Sequence, residues 1–470
     1  MASGAVLQLP LDLAGVPAAD LPGTSAVGGL FRPIHYLGSK LRLAPTIADA
    51  LDSVDASRGP VLDLFAGSGT TALALASHRT VFAADIQEYS RVLCSALLCK
   101  PTATTDIVAA FEHAVALGAP LLERFRFAAE PLLDFEHDAL ANASLGEGEP
   151  ICAVLESGSV LAAERGSALT ADKGLSAALL EVVRRLSGDA LHGSSLMTAF
   201  RYFGGAYFSY EQALELDFLA VTAAEFPKEF RDLFMAVLLS TASDVVNTVG
   251  KQFAQPIRPR NKEGVIKRHL LAKIERDRRQ DVRRIYFEWL ERYARMVVPG
   301  RAHKAVRADY RDVLKELGGS YSVVYADPPY TRDHYSRFYH VLETLALRDN
   351  PSIARSPGAA SSELSRGLYR EVRHQSPFCI KSKSHGAFLE LFRLTSQNSA
   401  NLVVSYSPFE AGAHPRLMQI DALVEMAQQY YKSVELESVT GVAHSKLNHA
   451  SLNFGKPDEA EVLLICRLKR

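Results

Sequence analysis

The chain has 470 residues, with 52 Lys+Arg against 53 Asp+Glu and 48% apolar residues. That length predicts two or three domains with an ample core, and the composition excludes a disordered chain. A net charge of −1 argues against a nucleic-acid binder that works by bulk positive charge. Residues 1–30 are rich in Ala, Gly, Leu and Pro. They lack a basic start and a continuous apolar run, so they read as a flexible tail and not as a secretory signal. No apolar stretch approaches the ~18 residues of a membrane span. The five cysteines (Cys94, Cys99, Cys152, Cys379, Cys466) form no CxxC pair or Cys/His cluster. Neither a metal site nor a disulfide framework is expected, and a cytoplasmic location is.

The first ordered elements begin near Phe31. An apolar run at 61–65 predicts a strand that ends in Ala66-Gly67-Ser68-Gly69, followed by an Ala/Leu-rich helix over 70–77. A second strand over 81–84 is closed by Asp85. Strand, glycine turn, helix, strand and acidic residue open a parallel α/β sheet. From 101 to 299 the texture becomes helical, as at 176–186 and 233–246, and strand character returns at 322–326, 401–405 and 461–465. The predicted architecture is therefore an α/β sheet domain split into 31–100 and 300–470 by a mostly helical insertion over 101–299. A smaller insertion is expected around 350–385.

Charge is uneven within the insertion. Residues 101–200 carry 6 basic and 14 acidic residues, whereas 251–307 carry 17 basic and 6 acidic. In the basic stretch Ile266, Leu270, Ile274, Val282, Ile285, Trp289, Tyr293 and Val297 recur near helical spacing, which predicts one long basic amphipathic helix. Such a helix is either a solvated face or a nucleic-acid surface.

Gly67, Gly69 and Ala72 fit a GxGxxA fingerprint loosely. Glycine there lets a ligand approach the backbone, and the helix N-terminus beyond offers unpaired amides. Asp85 stands where a carboxylate can accept both hydroxyls of a ribose. A Walker A loop is excluded, because no Gly-Lys-Ser/Thr follows. The turn alone leaves a structural role, NAD and S-adenosylmethionine open. Asp63 at the strand end, placed to face a ligand ammonium, and the apolar Phe65-Ala66-Gly67 favour S-adenosylmethionine.

The most specific feature is Asp327-Pro328-Pro329-Tyr330 at the end of an apolar strand. Two prolines fix φ and remove two backbone donors, leaving carbonyls free to accept. Methyl transfer to an exocyclic amine of a planar base uses such an arrangement. The Asp327 carboxylate and the Pro328 carbonyl can each accept one amino hydrogen, and Tyr330 can stack on a base flipped out of a duplex. Orientation then supplies much of the catalysis, with no metal required.

These motifs resemble the class-α adenine-specific DNA methyltransferases, in which a glycine motif precedes the proline tetrapeptide and target recognition lies between them. The further similarities are His35-Tyr36-Leu37-Gly38-Ser39-Lys40, Ala84-Asp85-Ile86, and Thr331-Arg332-Asp333-His334-Tyr335 continuing to Tyr339-His340. Asn247-Thr248-Val249-Gly250 and Val403-Val404-Ser405-Tyr406-Ser407 are similar to the same subgroup. The resemblance implies a Rossmann-like, S-adenosylmethionine-dependent methyltransferase sheet with a large helical target-recognition insertion, acting on N6 of adenine in double-stranded DNA. It implies Tyr36, Gly38 and Lys40 at the cofactor's methionine end and the catalytic mouth. Asp63, Phe65, Ala66, Gly67 and Gly69 would hold the methionine portion, Asp85 and Ile86 the ribose and adenine ring, and Asp309 with Tyr310 the adenine amine. Arg258, Lys267, Arg268, Arg332, Tyr335, Tyr339 and His340 are the expected DNA contacts, with packing beneath the tetrapeptide as the alternative for the last three. An RNA adenine methyltransferase, or a DNA-binding subunit with a methylase-like core, are the rival readings. A restriction or defence-system partner, the recognised sequence and the oligomeric state stay open.

Overall fold

Short apolar runs flanked by tight turns build the sheet: β1 (Val61–Asp63), β2 (Val81–Asp85), β3 (Lys304–Arg307), β4 (Val323–Ala326), β5 (Asn401–Tyr406), β6 (Ser433–Thr440) and β7 (Glu459–Arg467). The computed structural model describes residues 31–38, 40–101, 106–166, 170–298, 300–329, 334–356, 364–407, 417–440 and 459–468. The expected tail over 1–30, Tyr330 and Arg332 lie outside the described residues.

The strand order is β3-β2-β1-β4-β5-β7-β6. The first five are parallel, and β7 runs antiparallel between β5 and β6. β1 is flanked by β2 and β4, with Val61 opposite both Val81 and Val323. From β1 the chain order proceeds one way to β2 and β3, and from β4 the other way to β5. That reversal is the switch point, where open α/β sheets bind ligands at their carboxyl edge. β1 and β4 are buried along their whole length, as strands covered on both faces should be. Their side chains join a core with Leu402, Leu464, Phe388 and Leu391.

Two strands escaped the sequence reading. β3 is Lys-Ala-Val-Arg with both ends exposed, and in β6 Glu435 to Ser438 are exposed. Both are edges of the sheet, where charged side chains stand in place of an apolar run.

The chain divides into two compact units. One consists of the stretch ending at Lys100, Met296–Phe338 and Arg373–Arg470, and holds the sheet. The other is helical and takes in Pro101–Arg295 with Tyr339–Val372. In the helical unit Ser209 and Gln212 form a reciprocal capping box at the start of the helix Tyr210–Glu225. Glu136, on the helix Ala119–Ser144, pairs with the buried Arg278, which also donates to the Gly205 carbonyl at 2.6 Å and to Asn247 Oδ1 at 3.1 Å. A buried guanidinium is tolerated there because carboxylate and carbonyl acceptors surround it.

The single basic helix expected over 266–297 is instead two, Arg268–Arg278 and Val282–Arg295. Asp281 accepts from the Arg284 amide at 2.9 Å, so its side chain starts a new helix. Gln212 Nε2 reaches the Asp277 and Gln280 carbonyls that the break releases, at 2.7 and 3.2 Å. Among the described residues no helix is long and apolar enough to cross a membrane.

Candidate active site

The sheet unit carries a cavity at the carboxyl edge of the switch point. Its wall includes Tyr36, Gly38, Lys40, Asp63, Phe65, Ala66, Gly67, Asp85, Ile86, Asp309, Tyr310, Asp327, Pro328 and Pro329. The expected cofactor residues other than Gly69 are thereby brought together with the described part of the tetrapeptide. Asp63 stands 264 positions before Asp327 in the chain, and the pairing of β1 with β4 closes that distance.

Gly67 has φ +55°, and a Cβ there would lie 2.5 Å from the Tyr36 hydroxyl oxygen. Gly69, at φ +76°, precedes the helix Thr70–Ala76 and packs its back against Leu97 and Cys94, so it shapes the turn without facing the cavity. Asp85 is already engaged by the turn: Oδ2 accepts from the Gly67 amide at 3.0 Å and Oδ1 from the Gln87 amide at 2.9 Å. Burial pushes its carboxyl above the usual range, against the pull of those amides. Phe65, Tyr310 and Phe378 form an aromatic cluster with centroids 5.3–5.8 Å apart. Asp309 caps the helix Tyr310–Glu316 by accepting from the Arg311 amide at 3.0 Å.

Asp63 is 1% exposed, and neither carboxyl oxygen has a hydrogen-bond partner among the described residues. Burial, reinforced by Asp327 and Asp85, pushes its carboxyl up to about 8. A buried carboxyl without donors is costly unless a ligand supplies them. On the other side of the switch point Lys40 Nζ lies 3.2 Å from Asp327 Oδ1 and 3.0 Å from Glu461 Oε1.

Tyr335, expected against DNA, lines this cavity with its ring 5.7 Å from that of Tyr36. Tyr339 and His340 belong to the helical unit and are 1% and 0% exposed. His340 Nε2 lies 3.2 Å from both the Tyr207 hydroxyl and the Phe253 carbonyl. Neither side chain presents a surface to a nucleic-acid strand, which corrects the expectation for both; His340 packs among Phe203, Tyr207 and Tyr369 of that unit. Arg258 and Arg268 are exposed and Lys267 is half-buried, flanking a tight loop in which the Lys267 amide donates to the Pro259 carbonyl at 2.7 Å.

Two residues of the cavity wall, His374 and Phe378, and one buried behind it against Lys40, Glu461, had escaped the sequence reading. Glu461 carried a signal, a single carboxylate leading the apolar run Val462–Ile465 of β7. His374 and Phe378 carried none, because they lie in a Ser- and Arg-rich stretch with no periodicity.

A model of the D12 class N6 adenine-specific DNA methyltransferases matches residues 36–124 and 292–385. The modification methylase LlaI of Lactococcus lactis subsp. lactis is 32% identical over 146 residues, 31% of this chain and 20% of that protein. The Type II methyltransferase M.FokI of Planomicrobium okeanokoites is 32% identical over 106 residues, 23% of this chain and 14% of that protein. The chain thus spans a fifth or less of the length of these relatives. No solved structure gives a significant match. The glycine turn, the tetrapeptide and the strands that carry them fall within the matched segments, and over those segments the chain is similar to the D12 class of N6 adenine-specific DNA methyltransferases.

Proposed function

We propose that the chain transfers a methyl group from S-adenosylmethionine to N6 of adenine in double-stranded DNA. The observation that carries the reading is the pair of carboxyls at the switch point: the orphaned Asp63 and the tetrapeptide's Asp327 share one cavity wall. Asp63 fits the cofactor's ammonium, Gly67 lets the Tyr36 side chain close against the turn at the cavity wall, and the Phe65–Tyr310–Phe378 cluster suits an apolar ring. S-adenosylmethionine supplies an electrophilic methyl group when bound.

Asp327 and the Pro328 carbonyl accept the two amino hydrogens of the target base, which frees the nitrogen lone pair from the ring. Tyr330, outside the described residues, is the proposed stacking face for the flipped base. Both acceptors are held at a strand end, so orientation contributes a large part of the rate. Arg258, Lys267 and Arg268 are proposed to contact phosphates, and Arg332 to lie beside the target strand. The relatives' names, a modification methylase and a Type II methyltransferase, support a place in a restriction-modification system.

The test is transfer of label from S-adenosylmethionine to unmethylated duplex DNA, with the product base identified after digestion. N6-methyladenine is the expected product, and Asp327→Ala should abolish it while the cofactor still binds. Label recovered only in RNA, or in cytosine, would overturn the reading.

A further inference from the structure

Glu461 is a charged residue in the interior of a sheet. Its side chain is 1% exposed, on β7 beside β5. Isolated in that position a carboxylate would cost several kcal/mol. It is instead bonded by Lys40 Nζ at 3.0 Å and by the Ser405 hydroxyl, which donates at 2.7 Å. Lys40 is itself 4% exposed, and its second carboxylate is Asp327, at 3.2 Å and 21% exposed. A line of charge therefore runs from a wholly buried anion, through a buried cation, to the anion at the cavity mouth.

We propose that Glu461 is a positioning residue for Asp327, acting through Lys40. The proposal rests on the reading of Asp327 as the acceptor of the base's amino hydrogen. To accept, Asp327 must be ionised and fixed in direction, and once ionised it repels any negative charge on Asp63, which is part of what pushes the Asp63 carboxyl up. The Lys40 ammonium offsets that repulsion and holds Oδ1. A lysine stem is flexible, so an ammonium fixes its partner only when it is itself anchored. Glu461 supplies the anchor, and its charge keeps Lys40 protonated in a place where burial favours the neutral amine. Other titratable groups of the cavity wall that Lys40 and Asp327 share include Asp63 from β1, Asp85 from β2, Tyr325 from β4, and Tyr36, His334 and Tyr335. Burial and the nearby carboxylates push the Tyr325 phenol far up, so it stays neutral.

The experiment measures kcat for DNA methylation against pH at saturating S-adenosylmethionine, which removes Asp63 from the profile. Glu461→Gln should lower kcat about 10- to 100-fold, as expected for a misplaced acceptor, and leave the cofactor's KM unchanged. Its alkaline limb should move down by about 1–3 pH units as Lys40 loses a carboxylate. Ser405→Ala, a milder change that keeps both charges, should lower kcat by less and leave the alkaline limb near its wild-type position. Lys40→Met should raise the acid limb, because Asp327 loses its cation. Wild-type limbs in Glu461→Gln, with or without a loss of thermal stability, would overturn the proposal. If the wild-type protein methylates no DNA, the reading of the site fails, and denaturant unfolding of Glu461→Gln, Lys40→Met and the double variant decides the coupling. Strict additivity there overturns the line of charge, and a smaller combined loss supports it.

Discussion

At the end of β1 a carboxyl group forms part of the cavity wall while holding its proton to about pH 8. An ordinary aspartate ionises near 4, so between those values the folded protein holds a proton that the unfolded chain has released. Stability of the ligand-free protein therefore falls as pH rises through that window. Asp63→Asn should remove the fall and raise the melting temperature at the alkaline end, measured by thermal unfolding from about pH 5 to about pH 9. Binding a cationic ammonium needs the ionised form, and the sign for the cofactor is opposite. Affinity for S-adenosylmethionine should weaken about tenfold per unit as pH drops below 8, and in Asp63→Asn it should be weak and flat. A wild-type affinity independent of pH over this range would contradict the pairing of Asp63 with the ammonium. The same residue was legible in the sequence as a polar interruption at a strand end. What the sequence could not carry was the lack of donors around it, which depends on Asp327 and Asp85 arriving from other strands.

The glycine turn makes its case as an element. Gly67 sits in the left-handed region with the Tyr36 hydroxyl against its missing Cβ. Gly67→Ala adds about 1–2 kcal/mol of backbone strain and displaces Tyr36 from the cavity wall. The expected outcome is a modest drop in melting temperature and a loss of S-adenosylmethionine binding by calorimetry that exceeds it; unchanged binding would show that the turn does not approach the ligand. Strands and turns of this kind were readable because β1, β2, β4, β5 and β7 are apolar runs that the fold buries. β3 and β6 were not, since an edge strand has no need of an apolar period. The long basic helix failed for a related reason. Apolar spacing continued smoothly across 279–281, but Asp281 offers the backbone a cap, and Gln212 from another helix satisfies the carbonyls that the cap leaves behind. A local period cannot register a partner that arrives from 65 residues away.

For the whole molecule the neutral total of charge hides two opposed blocks, and the helical unit uses part of both. Arg260 bonds Glu149 and Glu156, Arg278 bonds Glu136, and Arg283 bonds Glu215. The acidic 101–200 block is thus in part the internal counterpart of the basic one, and fewer cations remain for DNA than the count over 251–307 suggests. Arg258 and Arg268 stand exposed outside those pairs. Replacing Arg258, Lys267 and Arg268 together by Ala should reduce the slope of log affinity against log salt by about 2–3, read by fluorescence anisotropy on a short duplex. A slope equal to that of the wild type would place the phosphate contacts elsewhere. The register of β1 with β4 has one more consequence, for the order of synthesis. The ribosome completes β1, β2 and the glycine turn before residue 100, yet the open edge of β1 finds its neighbour only after Ala326 has emerged. For the whole time that the helical segment Pro101–Arg295 is being made, the half-built sheet must wait with both flanks bare, since β3, the neighbour of β2, also follows that segment, so early independent folding of the segment would shorten the wandering of its two ends and protect the nascent chain from pairing with a stranger.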